Sequence, residues 1–261
     1  MLAPDLQRSI PPLAARRFTL ATDLDGTFLG GSDADRARLY SWIEANRASI
    51  GLIFVTGRDP DFILSMCRER GLPWPEYVVG DVGTTIAEVT VNGIAPLPEL
   101  EAEIAAAWAD CGPRVRAALD GHPGLSLQPT AFRYRVSYDL DAEAFNPSAQ
   151  AKVEALGLDW LISDDRFFDV LPKGISKGPS IRRLVAHLGI PEDRVLCAGD
   201  TLNDLSMLAS GLPAVAVGKS EPALTRALAG VRTVHHARAP GAAGILEAVA
   251  AFDLHALPTG D

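Results

Sequence analysis

The sequence predicts an α/β fold, a doubly wound parallel sheet interrupted by an inserted α+β unit. Three observations carry that expectation. Short apolar runs alternate with helix-periodic segments toward both ends of the chain. The middle changes texture, to an Ala-rich stretch followed by period-two alternation. Finally, three apolar runs end in clusters of Asp, Thr and Gly, the chemistry expected beyond the carboxyl ends of parallel strands.

In chain order, residues 1–17 form a tail with charges and prolines where a signal peptide needs an apolar run, so a cytoplasmic protein is expected. Residues 18–24 are an apolar strand running into Asp-Leu-Asp-Gly-Thr. Residues 32–48 have helical periodicity (Leu39, Trp42, Ile43), with Ser32 as N-cap. Residues 51–58 make a second buried strand ending in Thr-Gly. Its helix, 60–70, is stopped by Gly71 and Pro73, and 77–86 is a third short strand with a turn. The alternation resumes near Ser176, with helix 179–188, strand RVLCAGD, helix 204–209, strand PAVAV, helix 221–229, strand VRTVHH and helix 242–252. Between the halves, 96–120 reads as one long helix, 126–140 as an alternating strand, 147–156 as a helix, and 159–171 as a hairpin turning at Ser163-Asp164-Asp165. The expected division is a tail (1–17), a core (18–86 and 171–261) and an inserted unit (87–170).

Composition narrows the function classes. The chain has 261 residues, 33 acidic against 24 Lys and Arg, and a net charge of −9, which argues against nucleic acid as a partner. No run approaches the ~18 to 20 apolar residues of a membrane span, so no membrane partner is expected. Three scattered cysteines without C-x-x-C spacing speak against a disulfide framework or a zinc site. Of the 33 acids 21 are Asp, the type suited to turns, caps and short-reach metal ligation.

Those aspartates gather at strand ends. Asp23-Leu24-Asp25-Gly26-Thr27, Thr56-Gly57-Arg58 and Gly199-Asp200-Thr201-Leu202-Asn203-Asp204 end three strands, and Lys173 and Lys177 flank a helix start. Parallel strands would bring all four to one edge. A set of hard oxygen ligands without His or Cys suits Mg²⁺ better than zinc. Carboxylates alone would repel a phosphate, so metal and Lys177 are needed to neutralise it. One carboxylate could attack phosphorus to give an aspartyl phosphate, while a second, two residues along, protonates the leaving alcohol and then activates water. Mg²⁺, Lys177, the Thr56 hydroxyl and turn N–H groups would hold the transition-state charge. With 21 Asp, 23 Gly and 12 Thr in the chain, D-x-D-G-T arises by chance in fewer than roughly one in a hundred such sequences.

These four motifs resemble those of the haloacid-dehalogenase-like superfamily, in its magnesium-dependent phosphatase branch (subfamily IIB). The likeness runs from about Phe18 to Phe252. It implies a Rossmann-like core, Asp23 as nucleophile, Asp25 as acid/base, and Mg²⁺ held by Asp23, the Asp25 carbonyl and Asp200 with support from Asp204. It implies phosphate binding by Thr56 and Lys177, with Thr27, Gly57, Arg58, Lys173 and Asn203 on the substrate side. Within that branch, Arg135-Val136-Ser137-Tyr138 and Asp169-Val170-Leu171-Pro172-Lys173-Gly174 look like the sucrose-phosphate-phosphatase-like group, which implies a phosphorylated sugar or disaccharide. The inserted unit is then a cap, on which Arg133, Arg135, Ser137 and Tyr138 are the candidates for reading sugar hydroxyls.

Two alternatives stand beside a phosphatase. A sugar phosphomutase could use the same Asp pair, and a non-catalytic sensor or partner domain of a glycosyltransferase could use the same pocket. Gly218-Lys219-Ser220 is similar to the tail of a P-loop, but Pro213 stands where its first glycine belongs, leaving a loop near the site edge. His122, His187, His235, His236 and His255 show no ligand spacing. Gly30-Gly31 reads as a mobile gate, and Cys197 as inert core.

Overall fold

The computed structural model describes residues 10–258 other than 91 and 164; most of the expected tail and the middle of the 163–165 turn thus lie outside the described residues. In chain order the first strands are β1 (Phe18–Thr22), β2 (Ile50–Val55), β3 (Tyr77–Gly80), β4 (Thr85–Thr90) and β5 (Gly93–Pro96). They are followed by β6 (Leu125–Leu127), β7 (Val136–Leu140), β8 (Asp159–Ser163), β9 (Phe167–Leu171), β10 (Val195–Gly199), β11 (Ala214–Gly218) and β12 (Val234–Pro240). The helices are α1 (Asp33–Ala45), α2 (Pro60–Arg70), α3 (Pro98–Trp108), α4 (Gly112–Leu119), α5 (Ser148–Ala155), α6 (Lys177–His187), α7 (Leu205–Leu208), α8 (Pro222–Ala227) and α9 (Gly241–Ala251).

The larger sheet has the order β12-β11-β10-β1-β2-β3-β4-β5. Its pairings are parallel from β12 to β3, and β4 and β5 close the edge as an antiparallel hairpin. Strands β1, β2 and β10 are buried at every position, as a sheet covered on both faces requires. Alternation sorts their side chains: Leu20, Leu52 and Phe54 pack with α1, α2 and α9, whereas Ala21, Ile53 and Val55 pack with α6 and α7. This is the doubly wound α/β core expected. No helix among the described residues is long and apolar enough to cross a membrane.

The smaller sheet, β6-β7-β9-β8, is antiparallel throughout. Its covered face carries Val136, Tyr138, Phe168 and Val170 against Val115 and Leu119 of α4 and Val153 of α5. Helix α3 joins the two layers: Leu100 and Ile104 pack in the large core and Trp108 in the small one.

Three expectations need correction. The single helix over 96–120 is two, because Ala109 and Asp110 adopt left-handed φ of 49° and 52° and turn the chain between them. The alternating stretch 126–140 is not one strand: only β6 and β7 pair, and Pro129, which cannot donate to a ladder, lies in the irregular segment between them. The boundary expected at 86/87 falls inside β4, whose pairing with β5 keeps the chain in the large sheet through Pro96.

Candidate active site

The carboxyl ends of β1, β2 and β10 converge. Strand β1 delivers Asp23, whose N–H donates to the Ala198 carbonyl of β10 at 2.9 Å. The chain then coils through Leu24–Phe28 with Gly26 at φ 79°. A Cβ at Gly26 would stand 2.1 Å from Asp200 Oδ2, so only glycine admits both the left-handed turn and this approach. Thr27 Oγ1 donates to Asp200 Oδ1 at 2.6 Å, fixing that carboxylate against the first turn.

Lys177, at the first position of α6, is fully buried. Its ammonium donates to Asp23 Oδ1 at 2.7 Å, Asn203 Oδ1 at 2.6 Å and Asp204 Oδ1 at 2.7 Å. Asp204 is likewise fully buried, and its other oxygen accepts the N–H groups of Asp200 and Thr201 at 3.0 and 3.1 Å. It therefore orients Lys177 and the backbone before Asn203 at once.

Oxygen atoms of Asp23, Asp200 and Asp204 lie within 4.8 Å of one another. Burial is the main cause that pushes the Asp23 carboxyl up to about 8, against the opposing pull of Lys177. Burial also raises Asp200 to about 6, opposed by the Thr27 hydrogen bond. For Lys177, burial disfavours the charge, but Asp204 and Asp23 outweigh it and hold the ammonium above its ordinary value. Three carboxylates served by one buried cation are short of positive charge. The donor set, all oxygen, fits a hard divalent cation such as Mg²⁺.

Thr56, directly after β2, is buried, its Oγ1 accepting the Arg58 N–H at 3.2 Å. Arg58 forks onto Asp25 at 2.7 and 2.9 Å, at the exposed mouth of the site. Thus Asp23, Thr27, Lys177, Asp200, Asn203 and Asp204 form one hydrogen-bonded cluster, and Asp25, two residues beyond Asp23, is tied by Arg58 to the Thr56-Gly57-Arg58 turn.

The remaining candidates separate. Lys173 does not join the carboxylates but donates to Asp159 Oδ1 of β8 at 2.6 Å. Arg133 pairs with Glu101 of α3, which also accepts from Tyr134 at 3.0 Å. Tyr138 is buried in the small core, because strand alternation turns it away from the face that carries Ser137. Arg135 and Ser137 both donate to Asp169 Oδ1, Arg135 at 2.9 Å. Arg135 also reaches the Gly57 carbonyl at 3.3 Å, so this polar face of the small sheet looks onto the Thr56–Arg58 turn. Two carboxylates join this face that are not among the candidate site residues: Asp81, and Asp169, which the sequence offers only as the start of the Asp169–Gly174 stretch. Asp169 had left a signal, a lone acid inside the apolar run Phe167-Phe168-Asp169-Val170-Leu171. The Gly30-Gly31 pair is no free gate: its backbone packs on Gly241, and the Gly30 carbonyl accepts the Ala242 N–H at 3.2 Å.

Residues 16–253 match the sequence profile described as sucrose-6F-phosphate phosphohydrolase. The chain belongs to this family. It is a phosphatase family by that description, and the fold is shared with yhjK of Bacillus subtilis, a haloacid dehalogenase-like hydrolase (TM-score 0.66, 14% identity, 95% of each chain). A glucosylglycerol-phosphate synthase from Pseudomonas anguilliseptica is 41% identical over 234 residues, which cover 89% of this chain and 30% of that protein. A mannosylfructose-phosphate phosphatase from Agrobacterium fabrum is 29% identical, over 90% of this chain and 97% of the relative. The crystal structure of the sucrose-phosphatase from Synechocystis sp. PCC6803 with sucrose and phosphate superposes with a TM-score of 0.81 at 25% identity, covering 91% of this chain and 98% of that one. The chain spans less than a third of the synthase it matches.

Proposed function

We propose that the chain hydrolyses the phosphate monoester of a small glycoside with the help of Mg²⁺. The observation that carries this is the Lys177 ammonium bonded to Asp23, Asn203 and Asp204 beside a third carboxylate, Asp200. Asp23, Asp200 and the Asp25 carbonyl would hold the metal, with Asp204 behind them. Bound there, Mg²⁺ would neutralise charge on the phosphoryl oxygens. Asp23 Oδ1 is occupied by Lys177, and Oδ2, which takes no hydrogen bond from the described residues, would attack phosphorus. The leaving oxygen would take a proton from Asp25, which later removes one from the water that cleaves the aspartyl phosphate. Arg58 must release Asp25 for this, since its fork now occupies both carboxylate oxygens. Thr56, Thr27, Gly57 and Asn203 would line the phosphate.

Residues 97–171 would act as the substrate-selecting cap, its polar face, on which Ser137 and Asp169 are buried around Arg135, turned toward the Thr56–Arg58 turn and Arg133 at its margin. The names of the relatives favour a glycosyl phosphate, with glucosylglycerol phosphate first, then mannosylfructose phosphate and sucrose 6-phosphate. A glycosyltransferase that makes such an ester would be the natural partner, in line with the synthase among the relatives. Incubating the protein with these three esters and analysing products tests the reading. Inorganic phosphate is expected, with one ester preferred by kcat/KM. An isomeric sugar phosphate would mean a mutase, and no turnover of any ester would favour a sensor.

A further inference from the structure

All three carbonyls of the Thr56-Gly57-Arg58 turn accept hydrogen bonds. Thr56 O accepts the Val82 N–H at 3.2 Å and Arg58 O the Asp81 N–H at 3.0 Å. These donors sit on a turn with three successive left-handed residues, Asp81 (φ 51°), Val82 (60°) and Gly83 (102°). A β-branched residue rarely adopts that conformation, so the turn is over-determined by its surroundings. Only the middle carbonyl, Gly57 O, is held from the other sheet, by Arg135 at 3.3 Å.

Arg135 is built for a fixed position. It is buried, its guanidinium lies over the Phe132 ring at 3.6 Å, and Asp169 fixes one end at 2.9 Å. Asp81 Oδ1 stands 3.7 Å away and, among the described residues, neither it nor Arg135 Nε has a hydrogen-bond partner. A trans peptide is planar, with its C=O and N–H pointing opposite ways. Holding Gly57 O toward Arg135 therefore aims the Arg58 N–H to the far side, where it meets Thr56 Oγ1 at 3.2 Å.

We infer that Arg135 is a positioning residue: from the small sheet it fixes the Gly57–Arg58 peptide, whose Arg58 N–H then holds Thr56 Oγ1 and leaves that hydroxyl to donate to phosphate. The inference rests on the phosphatase reading above, and it moves Arg135 from sugar contact to phosphate-site assembly. The cap then sets how strongly the core binds any phosphate, sugar or not.

The test compares wild type with Arg135→Met, Arg135→Lys and Asp169→Asn. Each is measured with p-nitrophenyl phosphate, with the best glycosyl phosphate, and for inhibition by orthophosphate, alongside thermal unfolding. The expected result for Arg135→Met is an on-the-order-of tenfold weaker orthophosphate inhibition, the scale of one lost hydrogen bond from a charged donor. A matching rise in KM is expected for both substrates, with Arg135→Lys recovering part because one donor suffices. A loss confined to the glycosyl phosphate would overturn the inference and make Arg135 a sugar contact. A lower unfolding temperature with unchanged orthophosphate inhibition would overturn it in favour of a purely structural role. If Arg135→Met does not fold, Asp169→Asn, which loosens the guanidinium without emptying its space, carries the same comparison. Failure of the phosphatase reading shows separately, as absence of turnover in wild type; orthophosphate binding by calorimetry then decides the role of Arg135.

Discussion

A buried lysine among three oxygen acceptors at 2.6 to 2.7 Å makes Lys177 the residue on which the site depends. Removing it leaves two buried carboxylates unpaired. Lys177→Met is expected to lower unfolding stability by about 3–5 kcal/mol, read by urea titration in EDTA. The two raised carboxyls give a pH signature. Asp23 and Asp200 rise from 3.8 to about 8 and about 6, so the fold favours their protonated forms. That contribution is complete below the unfolded value and is lost as pH rises through the folded ones. Metal-free protein should therefore lose stability between about pH 4 and about pH 8, and Mg²⁺ should restore more at the upper end; a Mg²⁺ effect on melting temperature that shrinks with pH would contradict this. Gly26→Ala should weaken Mg²⁺ activation more than it lowers the melting temperature, since its Cβ would displace Asp200. At this scale the motif residues were legible because Asp, Gly and Thr at strand ends carry few other readings. Tyr138 was not, because the segment before it breaks from the strand and only the true register tells which face it takes.

At the scale of elements, helix α1 has the clearest local code. Ser32 and Asp35 form a reciprocal capping box, Asp35 Oδ2 accepting the Ser32 N–H at 3.0 Å and Ser32 Oγ the Asp35 N–H at 3.2 Å. Ser32→Ala should cost about 1 kcal/mol, measured by chemical denaturation. That start was readable from Ser32 itself. The break between α3 and α4 was not, since Ala109 and Asp110 are unremarkable letters that tertiary packing forces into left-handed backbone. The turn of Asp81, Val82 and Gly83 is similar: its strain is set by Thr56, Arg58 and the start of α6, where the Gly83 carbonyl accepts from Ser180 at 2.7 Å. No local pattern announces a constraint imposed by partners so distant in sequence.

Across the whole molecule, the alternation of apolar runs was enough to give the parallel core, because a sheet covered on both faces leaves long buried strands. The edge hairpin β4–β5 escaped, since its half-exposed residues carry no such pattern. The net charge of −9 is compatible with the proposed anionic substrate, because Asp23, Asp200 and Asp204 face one another where a cation would offset their charge. The free thiols follow the core: burial pushes Cys67 and Cys197 up to about 12. At about pH 8 neither should react with a thiol reagent until the protein is unfolded, and fast labelling of both in the native state would show that the core is not closed. The central claim, that Asp23 works with a divalent cation to cleave a phosphate ester, has one most direct test. Phosphate release from the preferred glycosyl phosphate is measured for wild type and Asp23→Asn, each with Mg²⁺ and with EDTA, with folding checked by circular dichroism. The account predicts turnover only for wild type with Mg²⁺; substantial Mg²⁺-dependent release by a folded Asp23→Asn protein would contradict it.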